Sequence, residues 1–368
     1  MEDSDRRMER AKHLFLSHLQ ARVGASLVSR LGNLSPEAIF ETPYSELAGR
    51  TRNSEKAARA FDQLQRGFDA RVIEERLDAK GVSVLTLADD GYPGMLRTVP
   101  DPPPALYVAG VVPDVVSVAL VGSRKASATG METARTLGSA LAERGVCVVS
   151  GLALGVDSAA HEGVVDAGGL SVGVLGCGID VVYPRNNRAL YDAVRRQGAL
   201  VSEYYLGEAP LAWRFPARNR IIAGLASVVV VVEAPEHSGA LITARHGLEA
   251  GRDVWAVPGP PGVPECRGSN GLLADGAGVL WDISEFLEAV APRAGTGHQS
   301  PEAGVAAGLP DTEAAALSGV GLEPRGVDAV ARRSGIVMSE LLPALALLEL
   351  KGFVHRDAVG AYVRRAVP

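Results

Sequence analysis

The sequence predicts an α/β protein built on a doubly wound parallel sheet, with a small all-α domain before it and a winged helix after it. Three observations indicate this fold class. Apolar runs alternate with helical segments between about residues 115 and 290, residues 8–88 have a polar helical pattern, and residues 311–366 combine two helical segments with two short alternating ones. Strict alternation of strands and helices implies parallel strands joined by right-handed crossovers.

Composition supports a folded chain of two or three domains. The 368 residues are 47% hydrophobic and 22% charged, so packed cores can form and general disorder is excluded. The net charge of −6 excludes a protein that is basic throughout. Nucleic-acid binding, if it occurs, must therefore use a local basic patch.

The cysteines and the apolar runs indicate a cytoplasmic protein. Cys147, Cys177 and Cys266 are far apart and form no C-x-x-C pair, which argues against a disulfide framework or a structural zinc site. No apolar stretch of signal-peptide length follows the charged N-terminus, and the longest β-branched run, 228–232, is too short to cross a membrane. We expect no metal.

Residues 1–88 are predicted to form the helical N-terminal domain, of helix-hairpin-helix or SAM type. Ser35 followed by Pro36 is a typical helix start, because the hydroxyl can cap the helix and proline fits its first turn. A purely structural role and a nucleic-acid contact are equally compatible with this segment.

Residues 89–291 are predicted to form the sheet domain. It begins with a proline-rich connector, 89–113, where proline fixes extended backbone. The predicted strands are 116–121, 146–150, 171–175, 199–202, 227–232 and 253–257. The predicted helices are 129–143, 157–167, 186–197, 216–224 and 240–249. Continuous apolar strands are typical of parallel sheets covered on both faces, which bind ligands at the carboxyl ends of their strands.

The C-terminal region is predicted to be a linker, 292–310, followed by a winged helix, 311–368. Helices at 327–333 and 338–351 precede a hairpin from 352–356 and 360–364. The second helix is leucine-rich and acidic, whereas winged helices that bind duplex DNA usually carry a more basic recognition helix. This favours a protein contact or an accessory role over DNA binding by this domain.

Glycine loops follow three of the predicted strands. The first predicted strand ends at Gly122, and Ser123, Arg124 and Lys125 follow it, just before a helix. This segment offers backbone amides, a hydroxyl, two cations and a helix N-terminus, all of which favour binding of an anion. Alone, this is also compatible with an ordinary turn.

The next two glycine loops also permit close approach of backbone to a phosphate. Gly151 and Gly155 follow the second strand, and Gly176 and Gly178 follow the third. Val181 stands where a dinucleotide fingerprint would need its third glycine, and the chain has no Walker sequence. We therefore expect no NAD or ATP cofactor.

Basic residues are concentrated at 185–220, which holds seven arginines, including Arg185, and three acids. Arg218, Asn219 and Arg220 lie at the start of a predicted helix, and Phe215 nearby could stack on bases. The next helix opens with Ser238, Gly239 and, a turn later, Thr243. The combination predicts a nucleic-acid groove. His161 and Cys177 lack partners that would commit them to catalysis, so no catalytic residue is assigned.

Ordered motifs carry a family resemblance. They are 122–127 (GSRKAS), 150–157 (SGLALGVD), 160–161 (AH), 174–180 (VLGCGID), 183–187 (YPRNN), 215–222 (FPARNRII), 238–244 (SGALITA), 257–259 (VPG) and 268–270 (GSN). Together they resemble the DprA (also called Smf) family of bacterial DNA-processing proteins. The motifs span about residues 92–285, and the family's helical N-terminal and winged-helix C-terminal domains extend the resemblance over nearly the whole chain.

The resemblance implies an extended Rossmann-like fold that binds single-stranded DNA, forms homodimers, protects incoming DNA and loads RecA recombinase onto it in natural transformation, without catalytic turnover. It implies phosphate contacts by Ser123, Arg124 and the 215–220 segment. Thr129 stands where the family often has tyrosine and Val156 where isoleucine is frequent, and neither change removes a charged group or an amide donor. The predicted strand-binding residues are Gly122, Ser123, Arg124, Lys125, Gly151, Gly155, Gly176, Gly178, Arg185, Phe215, Arg218, Asn219, Arg220, Ser238, Gly239 and Thr243.

The alternative is a nucleotide-processing enzyme similar to phosphoribohydrolases, which share a Rossmann core. Their P-G-G-x-G-T-x-x-E motif, with its catalytic glutamate, is missing. Residues 257–261 begin similarly but contain no glutamate.

Overall fold

The computed structural model describes residues 2–23, 31, 34–42, 44, 55–291, 310–320, 326–334, 336–351, 353–356 and 362–364. The chain divides into two compact units, residues 1–291 and 292–368. Helices and sheet that the sequence assigns to separate domains at residue 88 thus lie within one unit. The predicted linker at 292–310 falls outside the described residues except for Pro310.

The first unit contains twelve α-helices among the described residues. They are α1 (Glu2–Val23), α2 (Pro36–Glu41), α3 (Glu55–Gly67), α4 (Ala70–Asp78), α5 (Gly94–Arg97), α6 (Ala128–Glu143), α7 (Val156–Asp166), α8 (Arg188–Gln197), α9 (Arg214–Gly224), α10 (Gly239–Glu249), α11 (Arg267–Ala274) and α12 (Ile283–Val290). Helix α2 begins at the cap that the sequence predicts. The Ser35 side chain accepts a hydrogen bond from the amide of Ala38 at the start of α2.

One nine-stranded sheet runs through this unit. Its strands are β1 (Ser83–Thr86), β2 (Ala105–Gly110), β3 (Ser117–Val121), β4 (Cys147–Ser150), β5 (Ser171–Leu175), β6 (Ala199–Ser202), β7 (Val228–Val231), β8 (Asp253–Ala256) and β9 (Gly278–Val279). The spatial order is β1-β2-β6-β5-β4-β3-β7-β8-β9. The seven strands from β6 to β9 are parallel, and β1 and β2 extend the sheet as antiparallel strands.

This order confirms the doubly wound fold and fixes where a ligand can bind. The chain moves outward from β3 through β4 and β5 to β6, and then returns to place β7 on the other side of β3. In such sheets the crevice at the point of reversal, beyond the carboxyl ends of the strands, is the ligand site. The loops after β3 and β7 therefore flank the expected crevice.

Three strands of the sheet are not among those predicted from the sequence: β1, β2 and the two-residue β9. β1 lies in the segment expected to be helical, and β2 lies in the segment expected to be a connector. Residues 83–86 pair with residues 105–108, so the proline-rich stretch between them is the connection of an antiparallel pair. Residues 105–109, which form most of β2, are apolar and all buried. The prolines before them led to the whole segment being predicted as a connector.

Apolar side chains cover both faces of the sheet. One core contains Val121 and Val231 with Ile222 from α9, and the core on the opposite face contains Leu120 and Val230. Full burial of a valine, leucine or isoleucine side chain stabilises the fold by about 1.5–3 kcal/mol each. The two cores hold the strand ends, and hence the loops that follow them, in fixed positions.

The second unit is the predicted winged helix. It contains α13 (Asp311–Gly319), α14 (Val327–Ser334), α15 (Met338–Leu350) and an antiparallel pair, β10 (Val354–Arg356) with β11 (Tyr362–Arg364). Leu341, Leu345 and Leu348 of α15 are buried in its core. The outer side of α15 exposes Leu342 and Leu347, and the helix contains no lysine or arginine.

Within the described residues, no helix combines the length and the apolar character that a bilayer crossing requires. The three cysteines are buried and free.

Candidate nucleic-acid interface

A cleft of about 500 Å³ lies at the switch point of the sheet. Its walls come from the loop after β3, the loop after β4, one side of α9, the first turn of α10 and residues 264–265. The cleft thus collects segments that are more than 140 residues apart in sequence. Pockets of this size are typical of ligand sites in α/β proteins.

The loop after β3 supplies the accessible cations of the cleft. Arg124 and Lys125 are not buried, while Ser123 is buried and its hydroxyl accepts a hydrogen bond from the amide of Lys125 at 3.1 Å. The backbone of Ser123 in turn donates to the carbonyl of Glu233 at 2.7 Å. The loop is therefore attached to the end of β7, and its two cations lie at the cleft rim.

The N-terminus of α6 is already occupied by a carboxylate of the protein itself. Glu233 accepts hydrogen bonds from the amide of Ser127 at 2.8 Å and from its hydroxyl at 2.5 Å. A carboxylate at this position neutralises the positive end of the helix. The expectation that the helix after Gly122 offers its N-terminus to a ligand anion is thus wrong, because Glu233 takes that place.

The loop after β4 interlocks with the loop after β3. Gly155 has φ +80°, and a Cβ atom there would collide with the carbonyl oxygen of Ser123. Leu152, fully buried, also has a positive φ of 53°, which is uncommon for a residue other than glycine. Backbone held in such a conformation occurs often at ligand sites.

Asp157 fixes this loop from within the cleft. Its carboxylate accepts hydrogen bonds from the amides of Gly151 at 3.2 Å and Ala153 at 3.4 Å. Burial raises the pKa of Asp157, and the nearby charge of Arg218 opposes that shift. Burial likewise lowers the pKa of Arg218, which Asp157 opposes. Two buried groups of opposite charge thus lie near each other at the cleft floor.

Arg218 lines the cleft but is only 3% exposed. Its guanidinium donates to the carbonyl of Gly151 at 3.0 Å and to the carbonyl of Val174. It therefore joins the ends of β4 and β5 and is held in place by the backbone of both. The adjacent Asn219 donates to the carbonyl of Gly239 at 3.1 Å, which attaches α9 to the start of α10.

Arg220 does not reach the cleft. It is buried and its guanidinium bonds Glu203 at 2.7 and 3.0 Å, with Asp101 at 3.3 Å. Arg214 is also buried and pairs with Glu208 at 2.8 Å. The predicted role of Arg220 as a strand ligand is therefore corrected to a structural one. The positive charge expected from 185–220 is also smaller at the cleft than the sequence suggests.

Aromatic rings stand beside the accessible cations. The guanidinium of Arg124 lies 5.1 Å from the centre of the Phe215 ring, and Tyr183 packs on that ring at 5.4 Å. A small cavity of about 80 Å³ adjoins them, lined in addition by Leu154 and Pro184. Cation and aromatic surface side by side suit a strand that presents both phosphates and bases.

The start of α10 forms the opposite wall. Ser238 caps the helix by accepting from the amide of Ala240 at 3.2 Å, and Gly239 and the buried Thr243 line the cleft. The structure thus brings these three predicted residues together with the loop after β3.

Gly155 and three further predicted residues do not line the cleft. Gly176 supports it from behind, because a Cβ atom there would meet the Phe215 ring at 2.9 Å. Gly178 packs against the backbone of 205–208, and Arg185 lies exposed in a short 3-10 turn.

The groups that sequence analysis considered for catalysis are buried. His161 is fully buried and bonds Ser171 at 2.6 Å, and burial lowers its pKa to about 3. Burial raises the pKa of the Cys177 thiol to about 11, which leaves little thiolate at neutral pH. Among the described residues, no three His, Cys, Asp or Glu side chains are grouped closely enough to hold a metal ion.

Two acidic residues of this site, Glu233 and Asp157, were not predicted from the sequence. Glu233 follows the all-valine strand β7 after one further valine, and an acid so close to the carboxyl end of a buried strand signals a site residue. Asp157 appears in the sequence only as the last residue of the 150–157 motif, and its role became visible in the fold, where its carboxylate bonds the amides of the preceding loop.

A doubly wound sheet with a cation-rimmed cleft at its switch point, in a chain that also carries a winged helix, defines a Rossmann-type α/β protein with an attached winged-helix domain. The chain belongs to the DNA recombination-mediator protein A family, whose model matches residues 83–291. The model of the DprA winged helix domain matches residues 300–358. Both matches confirm the family that the motifs indicated.

Known relatives support this assignment. The chain is 40% identical to protein Smf of Escherichia coli over 285 residues, which are 74% of this chain and 75% of that protein. It is 41% identical to the DNA processing protein DprA of Streptococcus pneumoniae over 222 residues, 60% of this chain and 77% of the relative.

Solved structures agree with the fold. The X-ray structure of DNA processing protein A from S. pneumoniae superposes with a TM-score of 0.61 at 31% identity, covering 76% of this chain and 95% of that one. A structure describing the single-stranded DNA binding mode of DNA processing protein A from Helicobacter pylori has a TM-score of 0.51 at 29% identity, covering 56% and 94%.

Proposed function

We propose that this protein binds single-stranded DNA in the switch-point cleft. The observation that carries the proposal is the combination at one rim of two accessible cations, Arg124 and Lys125, with the packed rings of Phe215 and Tyr183. The relative from H. pylori, whose structure describes a single-stranded DNA binding mode, supports it. The residues that complete the proposed site are Ser123, Gly151, Asn219, Ser238, Gly239 and Thr243.

The proposed contacts bind the backbone of the strand and not its sequence. Cations and loop amides meet phosphates, and aromatic faces accept any base. Binding should therefore weaken steeply with salt, since the strand releases counterions when its phosphates are neutralised. Duplex DNA, whose bases are stacked and paired, offers the rings nothing to stack on.

We propose further that the protein acts as a recombination mediator without catalytic turnover, protecting incoming DNA and loading RecA recombinase onto it in natural transformation. Membership of the recombination-mediator family supports this role. We also propose that the protein is a homodimer and that it is located in the cytoplasm. Native mass measurement tests the dimer, and RecA filament formation on strands coated with single-strand-binding protein tests the loading.

The test of strand binding compares two double variants by fluorescence anisotropy with a labelled oligo-dT strand and a duplex over a range of salt. R124A/K125A should raise the dissociation constant about tenfold or more, and should flatten the slope of log K against log salt by about 0.7 for each phosphate that is no longer neutralised. The control R71A/K80A removes the same charge at exposed positions away from the cleft and should bind as wild type does. Equal affinity of the two variants, or no salt dependence of the wild type, would refute the proposal.

A further inference from the structure

The N-terminal helix α1 and the cleft helix α9 meet at one buried carboxylate. Glu203, 3% exposed, follows the carboxyl end of β6. Its Oε2 accepts a hydrogen bond from Nε2 of Gln20 on α1 at 2.6 Å and another from Nη2 of Arg220 on α9 at 2.7 Å, while its Oε1 accepts from Nη1 of Arg220 at 3.0 Å. One side chain thus joins two helices that are distant in sequence.

A second link joins the same two helices. Arg214, in the first turn of α9, donates from Nη2 to the carbonyl of Ala21 at 3.1 Å. The last carbonyls of a helix have no partner within it, and a cation there also complements the helix dipole. Ser17, a turn before Ala21, donates to the backbone carbonyl of Glu203 at 3.3 Å.

These links act on the helix that builds the cleft. Between Arg214 and Arg220, α9 presents Phe215, Arg218 and Asn219 to the cleft. At one end of that stretch Arg214 bonds α1 directly. At the other end Arg220 bonds Glu203, which also bonds Gln20 of α1. A helix fixed at two points more than a turn apart can neither slide along its axis nor rotate about it without breaking buried hydrogen bonds.

We propose that Gln20 is a positioning residue of the single-strand site, which sets α9 in register with the cleft through Glu203 and Arg220. The inference rests on the proposed function. The family model begins at residue 83, so α1 lies outside the part of the chain that the model describes. For the helical N-terminal segment the sequence left open a structural role and a nucleic-acid contact. Under this proposal the segment supports the site without touching the strand.

Gln20 suits this position because it is neutral. The groups that face Glu203 are Arg220, Gln20 and Tyr204, with Asp101 and Tyr92 close by. A second carboxylate in place of the amide would lie at hydrogen-bond distance from Glu203. Two carboxylates this close cannot both be ionised without a large penalty, so such a pair either takes up a proton or separates.

The experiment measures oligo-dT binding by wild type and Q20E from pH 8 to pH 5.5 at fixed salt, below the melting temperature of each. At pH 8 the repulsion should move α9 and raise the dissociation constant of Q20E about tenfold. Toward pH 5.5 a shared proton should restore the bond, and the two proteins should converge. Q20M, which has a similar size but lacks the donor, should show a smaller loss that does not vary with pH.

The matched control is Q65E on α3. Gln65 donates to the carbonyls of Ile39 and Phe40, both at 3.0 Å, and so ties together the N-terminal helices without contacting α9. Q65E should lower the melting temperature and leave the affinity ratio to wild type independent of pH. Convergence at low pH in Q20E alone would support positioning, because a merely structural loss would appear equally in both variants.

Two results would overturn the inference: Q20E binding like wild type across the pH range, or Q65E showing the same pH-dependent loss. Failure of wild type itself to bind oligo-dT would instead refute the proposed function. Amide hydrogen exchange of the full chain then still decides the role of Gln20. Faster exchange of α9 in Q20E but not in Q65E supports it, and unchanged exchange of α9 contradicts it.

Discussion

Arg218 and Arg220 lie two positions apart on α9 and have different surroundings. Arg218 joins the ends of two strands at the cleft, and Arg220 is held by Glu203 behind it. Both lie near the start of a predicted helix, and the family resemblance implied a phosphate contact for both. Glu203, the partner of Arg220, lies 17 positions earlier, after β6, and only the folded sheet brings the two together. Helix periodicity indicates the burial of Arg218, because Ile222, four positions later on the same face of α9, is in the core.

His161 allows a prediction at the same scale. Ser171 donates its hydroxyl proton to the carbonyl of Val148, so it accepts from Nδ1 of His161, which fixes the neutral tautomer. Burial lowers the pKa of His161 to about 3, whereas an unfolded histidine has a pKa of about 6.5. Between these values the unfolded chain binds a proton that the folded chain does not. The stability contribution is therefore complete above about pH 6.5 and falls as pH decreases, by about 1.4 kcal/mol per unit.

We expect H161N, measured by urea unfolding from pH 7.5 to pH 5, to have a shallower loss of stability than wild type. The difference between the two slopes should approach about 1.4 kcal/mol per pH unit below about pH 6. Parallel pH profiles for the two proteins would show that His161 does not carry the effect.

The loops after β3 and β4 act as one element. Val156 donates its amide to the carbonyl of Ser123 at 3.2 Å, and Gly155 leaves no room for a side chain beside that carbonyl. The sequence predicted glycine loops at both strand ends, but not that one loop packs on the other. Such contacts depend on the spacing of neighbouring strands, which no local pattern encodes.

This interlocking predicts the effect of a single methyl group. G155A should displace the loop that carries Arg124 and weaken oligo-dT binding several-fold beyond any loss of stability. G251A is the matched control, because Gly251 also has a positive φ, +69°, but has no atom within 4 Å of a Cβ built there. Both variants incur a backbone penalty of about 1–3 kcal/mol, larger at Gly155, whose ψ of −129° lies outside the left-handed helical region; the affinities are therefore compared on folded protein, below the melting temperature of each variant. Equal affinity of the two would show that the contact between the loops is irrelevant to binding.

At the scale of elements, the sequence predicted the six parallel strands β3 to β8 but not the antiparallel pair β1 and β2 or the two-residue β9. Most strands from β3 to β8 are buried on both faces and therefore appear as continuous apolar runs bounded by turns. β1 has only four residues, with an alternating burial pattern, and directly follows a helical segment. A short strand of this kind is identified by its partner, here β2, more than by its own residues.

At the scale of the whole molecule, only the first of the two units contains the proposed single-strand site. All the residues of the proposed strand site lie in residues 1–291. In the winged helix, α15 presents apolar side chains and Glu340 to its outer side and contains no lysine or arginine. A surface of this composition does not suit the phosphates of a duplex.

A truncation ending at residue 291 should therefore keep its affinity for oligo-dT within about twofold of the full chain, well under the tenfold that about 1.4 kcal/mol represents. Anisotropy titrations, with circular dichroism to establish folding, make the comparison. Complete loss of binding by a folded truncation would move the strand site, at least in part, to residues 311–368.

The two ends of the sheet constrain how copies of the chain can associate. At one end β9 has only two residues, and at the other Arg10 donates to the carbonyl of Val84 on the outer strand β1. A long row of unpaired backbone groups is what allows another chain to add a strand. Neither margin of the nine-stranded sheet offers one, so copies that associated through residues 1–291 would be held together by side chains, without a continuous sheet running from one copy into the next.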